Sequence, residues 1–350
     1  MFNSPDFLRT QNISGPDMGT EERPGSSIAI DVNKLPYTRE FVDDYRARMK
    51  EDPDPEAQFA FAKYLIEAAR IIGDDMTTKG EVRSGKKYRD SLLAESLKQV
   101  KRLATGETEP YAEATFFLAN TYGTGHRLTI DHDLAYHLYI QASKQNHPGA
   151  TYRAAVCSEL GAGTRKNATR AVSFYRKAAS LRDTAAMYKL GIVLIQGLLE
   201  QPKSEREGIV WLHRASQQAN EENPHALYEL AMLHETPTLL GRAASLVSKD
   251  PLMARDLYIA AAELGYPPSQ FRLGTCYEHG TLGFPVDSRK SIAWLNRASE
   301  KGDPEAELAL SGWFLTGAEG LEANDGEAYL WARRSANKGL AKAEFAVGCE

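Results

Sequence analysis

Residues 264–311 read LGYPPSQFRLGTCYEHGTLGFPVDSRKSIAWLNRASEKGDPEAELALS. Inside that stretch, Ser269, Phe271, Leu273 and Gly274 place a small residue, an aromatic, an apolar residue and a second small residue on one helix-length pattern. Glycines at 280 and 283 then punctuate a turn, and Asp287 stands four residues ahead of Ser291, where a second pattern carries Trp294 three positions on. Asp is a preferred helix N-cap because its carboxylate accepts from an orphan backbone N–H. At Ala306 the first pattern starts again.

Working outward, the same start recurs at Ala114, Ala150, Ala186, Ala226, Ser269, Ala306 and Ala343, with spacings of 36 to 43 residues. The aromatic column is Phe116, Tyr152, Tyr188, Tyr228, Phe271 and Phe345, with Leu308 in the sixth copy. Five residues into each copy stands a small residue: Ala119, Ala155, Gly191, Ala231, Gly274, Ser311 or Gly348. Second helices are predicted from Ala135, Ala171, Gly208, Ala254, Ser291 and Ala328, each with a bulky residue three positions later: Leu138, Phe174, Trp211, Leu257, Trp294 or Trp331. Asp131, Asn167, Ser204, Asp250, Asp287 and Asn324 precede them in register as caps,. Glycines at 123, 125, 161, 163, 197, 280, 283, 317 and 320 are expected at turns between paired helices,. The pattern predicts an all-α solenoid of two-helix repeats, in which small columns allow close backbone approach and the aromatic and bulky columns fill the space between neighbours. Alanine at Trp294 or Phe271 is then expected to cost roughly 3–5 kcal/mol.

Three segments follow: a disordered tail over 1–35, a helical extension with a divergent capping repeat over 36–108, and the array over 109–350, with six full repeats and the start of a seventh. The tail is rich in Gly, Pro, Ser and Asp. In the extension, Asp54-Pro55-Glu56-Ala57 opens a first-helix pattern, and a charged loop is expected at roughly 73–88 before a helix near 89–104,. Because the chain stops inside a seventh first helix, it is expected to be part of something longer.

Hydrophobic residues at 42% and charged residues at 25% suit a folded chain, and a net charge of −5 supplies no basic footprint for nucleic acid,. No apolar run reaches the length of a signal peptide core or a membrane span. Cys157, Cys276 and Cys349 are too widely separated for a disulfide framework and suit a reducing compartment,. Cys157 and Cys276 share one repeat column, so core packing explains them better than nucleophilic chemistry.

Motifs with chemistry fare poorly. Gly80-Glu81-Val82-Arg83-Ser84-Gly85-Lys86-Lys87 has phosphate-loop spacing, but Lys87 replaces the magnesium-binding hydroxyl and no strand precedes it; a solvated loop is expected instead,. Gly123-Thr124-Gly125 reads as a turn. The eight histidines form no metal-binding pair on a helix, so neither metal nor cofactor is expected and no residue is assigned a catalytic role,.

The columns resemble Sel-one-like repeats, relatives of tetratricopeptide repeats, over about 110–350. The stretches QASKQNHPGATYRAAVCSELGAGT, TAAMYKLG, EENPHALYEL, KGDPEAELALSGWFLTG and EAYLWARRSANKGLAKAEFAVG, with the one quoted above, are similar to fungal chitin synthase regulatory subunits. That resemblance implies a right-handed alpha-alpha superhelix and a non-catalytic activator and adaptor. Its implied partner is the cytosolic segment of a membrane-embedded chitin synthase, with septin or bud-neck scaffold proteins as further partners. It implies a cytoplasmic protein, peripheral at the plasma membrane at septum or bud-neck growth sites, held there through its partner. Family members can carry a prenylated C-terminal cysteine; Cys349 stands one residue from the end, so no such box is present here,.

Between aromatic and apolar columns runs a variable column, Phe117, Arg153, Lys189, Glu229, Arg272 and Ala309. Its changing chemistry suits the reading of a partner segment, and a solvated helical face is the competing explanation. Reversing charge at Arg153, Lys189 and Arg272 together is expected to weaken capture without unfolding. A general scaffold in signalling or protein degradation is the alternative function, and an unrecognised enzyme site between Ile72 and Ser91 a third.

Overall fold

The computed structural model describes residues 35–106, 109–125 and 128–348, so the first 34 residues of the expected tail and Cys349 lie outside the described residues. Among the described residues are sixteen α-helices and one 3-10 segment. No helix among them is long and apolar enough to cross a membrane. The chain divides into two compact units at Gln99/Val100.

The first unit holds α1 (Arg39–Glu51), α2 (Pro55–Thr78) and most of α3 (Val82–Ala104). Asp54 caps α2 by accepting from Glu56 N, with Pro55 at the first helical position as the sequence predicts. Its core joins Val42 and Tyr45 of α1 to Phe61, Tyr64, Leu65, Ala68, Ile72 and Met76 of α2 and Leu92 of α3. The loop expected at 73–88 is absent: α2 continues to Thr78 and α3 begins at Val82. The reason is packing. Ile72 and Met76 extend the buried stripe of α2 by another turn, and a Cβ at Gly85 would lie 3.0 Å from the Met76 side chain and 3.3 Å from the Gly73 carbonyl oxygen. The phosphate-loop spacing therefore marks a tight turn at Gly80 (φ 84°) and a helix crossing at Gly85.

The second unit is the solenoid. First helices α4 (Ala112–Thr124), α6 (Pro148–Leu160), α8 (Thr184–Gln196), α10 (His225–Glu235), α12 (Pro267–His279) and α14 (Pro304–Thr316) alternate with second helices. Those are α5 (His132–Lys144), α7 (Ala168–Ser180), α9 (Glu205–Ser216), α11 (Pro251–Glu263), α13 (Ser288–Glu300) and α15 (Asp325–Ala336), and α16 (Ala341–Gly348) follows. Each first helix packs on the second helix of its own repeat, and each second helix on the next first helix. The small columns are buried from Ala114 to Ala343, as close backbone approach requires, and only Gly348 at their end is exposed.

Five of the six expected caps bond as predicted: Asp131, Asn167, Asp250, Asp287 and Asn324 accept from backbone N–H groups of their helices. Ser204 occupies the sixth cap position without a side-chain bond. Gly125, Gly161, Gly197 and Gly280 end their helices in left-handed geometry, whereas Gly123 stays within α4. The bulky column is not the deepest one. Phe174, Trp211, Leu257, Trp294 and Trp331 are half-buried and Leu138 is buried, while the next residue is buried in all six helices: Tyr139, Tyr175, Leu212, Tyr258, Leu295 and Ala332. Phe271 is half-buried too, so the 3–5 kcal/mol expected for Trp294 or Phe271 becomes an upper bound,. Arginines three residues on stack over three of these rings: Arg214 on Trp211, Arg297 on Trp294 and Arg334 on Trp331, at 4.6 to 4.7 Å. Cys276 is buried, as its column predicts, and Cys157 is half-buried; burial pushes both thiols up.

Candidate partner-binding face

The variable column lies on the first helices, and the structure divides it into residues held by the fold and one left open. Lys189 on α8 pairs with Glu159 at the end of α6 at 2.9 Å, and the same carboxylate accepts from the Tyr175 hydroxyl at 2.5 Å. Two repeats on, Arg272 on α12 pairs with Glu235 of α10, which accepts from Tyr258 at 2.9 Å. In both triads a cation of one repeat meets a glutamate of the repeat before it, and a buried tyrosine orients that glutamate. Reversing charge at Lys189 or Arg272 would set two carboxylates together, so the triple reversal tests folding as well as capture.

Glu229 of α10 accepts from the Tyr188 hydroxyl, and burial pushes its carboxyl above the usual range. Phe117 is half-buried on α4. Arg153 on α6 is exposed, and among the described residues it makes no ion pair. The five predicted residues therefore share one succession of helices, with Arg153 the member that offers an open charge.

Around the column the fold adds groups that the pattern did not single out. Tyr152 packs against Tyr175 at 5.9 Å and Tyr228 against Tyr258 at 5.6 Å, so half-buried aromatics rest on the buried tyrosines of their own repeats. His225 stacks on Tyr188 at 5.2 Å and meets Tyr266 edge-on at 5.0 Å. At the helix starts, Asp183 accepts from Ala186 N at 2.8 Å and Asp303 from Ala306 N at 2.9 Å, and burial raises both carboxyls. The result is a tyrosine-rich, half-buried face with acidic groups poised between neighbouring repeats. Its glutamates were legible as a column, since Glu159, Glu235 and Glu278 each stand nine residues after a repeat start. The tyrosine partners of Glu159 and Glu235, Tyr175 and Tyr258, fall in the buried column of the second helices, one residue beyond the bulky column that the sequence pattern marks.

Six consecutive segments, residues 112–147, 148–183, 184–220, 224–266, 267–303 and 304–340, match the Sel1 repeat. The chain belongs to the Sel1 repeat family. These six boundaries coincide with the six two-helix units of the solenoid. Among related proteins, this Sel1 repeat chain is 35% identical over 263 residues to chitin synthase regulatory factor 3 of Schizosaccharomyces pombe, covering 73% of the chain and 27% of that protein. It is also 35% identical over 267 residues to the chitin synthase regulator SKT5 of Saccharomyces cerevisiae, covering 74% of the chain and 37% of that protein. The chain thus spans well under half the length of either regulator. Of solved structures, a Sel1 repeat protein from Oxalobacter formigenes superposes with a TM-score of 0.59 at 23% identity, over 76% of this chain and 96% of that one, which establishes the shared fold.

Proposed function

We propose that this Sel1 repeat chain is a non-catalytic adaptor and activator in chitin synthesis, and that it binds a cytosolic segment of a membrane-embedded chitin synthase along its first-helix face. The observation that carries this reading is the 35% identity to two chitin synthase regulators over nearly three quarters of the chain. The face supports it chemically. Tyrosines supply large contact area at little conformational cost, and Arg153, Asp183 and Asp303 supply the changing charge that fixes register on an extended segment,. In this reading the partner holds the protein at the plasma membrane, at septum or bud-neck growth sites, where septin or bud-neck scaffold proteins are further partners.

The test is affinity capture of the tagged chain with a detergent-solubilised fungal membrane fraction, followed by mass spectrometry and an assay of retained chitin synthase activity. Retention of a chitin synthase, weakened by Arg153→Glu in a chain of unchanged thermal midpoint, is the expected result. Recovery of unrelated soluble proteins alone would replace the reading with a general scaffold.

A further inference from the structure

We infer that the cavity between α7, α8 and α9 is a second binding site, built for the carboxylate of a glutamate side chain on an acidic peptide segment of a partner protein. The argument comes from comparing two repeats of this one chain. In the repeat that starts at Ala306, the next residue is Glu307, wholly buried, whose carboxylate meets Lys338 at 2.7 Å and Arg334 at 3.4 Å. Arg334 lies over the ring of Trp331 at 4.6 Å. Here the chain supplies its own anion to a pocket walled by a tryptophan and two cations.

The repeat that starts at Ala186 keeps the wall and omits the anion. Trp211 and Arg214 stand where Trp331 and Arg334 stand, with Arg214 over the Trp211 ring at 4.7 Å, but Met187 replaces Glu307. The result is a cavity of about 430 Å³ whose lining includes Met187, Trp211, Arg214, Gln217, Gln218 and Arg182. Gln218 takes the place of Lys338, so one cation of the pair is lost there, and Arg182 is a second cation among the lining residues. Arg182 corresponds to Gly302, and it holds φ 69° where Gly302 holds φ 85°. A residue with a Cβ carries a conformational cost in that region, which glycine avoids. Arg182 lines the cavity in this strained conformation, and among the described residues neither Arg182 nor Arg214 makes an ion pair.

Two guanidiniums suit one carboxylate, through charge-assisted hydrogen bonds. Gln217 and Gln218 can donate to its second oxygen. The cavity exceeds a bare carboxylate, and its Trp211 and Met187 surfaces suit the methylene stem of glutamate,. An acidic segment is therefore the occupant that fits both the charge and the apolar wall.

The test measures binding of fluorescein-labelled hexaglutamate and hexaglutamine to the full chain by anisotropy, with inorganic phosphate as competitor. Hexaglutamate is expected to bind saturably and hexaglutamine not. Arg182→Gly removes a cation while relieving the backbone, so affinity should fall about tenfold, the loss of one charge-assisted bond, with no fall in thermal midpoint. Met187→Glu should supply the internal carboxylate and block hexaglutamate by about tenfold or more. Equal binding of the two peptides, or full affinity in both variants, overturns the assignment. Displacement by phosphate at lower concentration than by unlabelled hexaglutamate overturns it in favour of a phosphate site.

Discussion

Glu229 carries its charge at a cost. Its carboxyl is raised above 4.5 chiefly by burial, so the folded chain holds that proton more firmly than the unfolded chain does,. Stability from the protonated form is fully present below pH 4.5 and is lost as pH rises through the folded value,. Glu229→Gln is therefore expected to raise the urea midpoint at pH 7, with the gain shrinking on acidification and gone below pH 4.5; a gain that persists in acid would contradict the burial account,. His225 moves in the opposite direction, since burial lowers its imidazole below 6.5. Its contribution is present above 6.5 and is lost as pH falls through the folded value, so His225→Phe, which keeps the aromatic contacts with Tyr188 and Tyr266, should flatten the stability profile just below pH 6.5,.

At the scale of the helix pair, α8 and α9 approach more closely than a Cβ allows. A methyl group at Gly208 would lie 2.7 Å from the Gly191 carbonyl oxygen and 2.6 Å from Ile195. Ala135, Ala171, Ala254 and Ala328 occupy that column in other repeats, yet Gly208→Ala is expected to destabilise by about 1–3 kcal/mol, read from a denaturant titration,. A neutral result would mean that the pair relaxes apart at little cost. The connection from α7 to α8 should respond in the other direction: Arg182→Gly should stabilise by about 1 kcal/mol, because the left-handed turn there no longer carries a side chain,.

Across the whole solenoid, every repeat leans on its neighbours, so damage should spread one repeat and then fade. Leu295 is wholly buried against Gly274, and Leu295→Ala is expected to cost about 2–5 kcal/mol,. Native-state hydrogen exchange should accelerate in α12 to α15 and stay unchanged in α6 and α7. Uniform acceleration would instead indicate a single cooperative unit. In α16, Phe345 is 75% exposed although it occupies the aromatic column, because no second helix packs on it among the described residues. Its amides should exchange fastest among the helices of the array.

The sequence by itself determined the repeat. Periodic small residues, caps in register and turn glycines each act within one or two helices, so their physics is local enough to be read from Ala114 to Ala343 without coordinates,. It also determined the family, and it placed Phe117, Arg153, Lys189, Glu229 and Arg272 on one helix column. What only the tertiary structure decided depends on contacts between repeats or between distant turns. The segment at 73–88 became helical on both sides of the turn at Gly80 because packing of Ile72 and Met76 outweighed its loop-like composition. Lys189 and Arg272 became inter-repeat ties because Glu159 and Glu235 reach them from the first helix of the preceding repeat, 30 and 37 residues back in the chain. The difference between Met187 and Glu307 reads in sequence as one hydrophobic and one charged residue at equal register. Only the surrounding arginines reveal that one pocket holds its own anion and the other does not, since burial and pairing are properties of the assembled neighbours,.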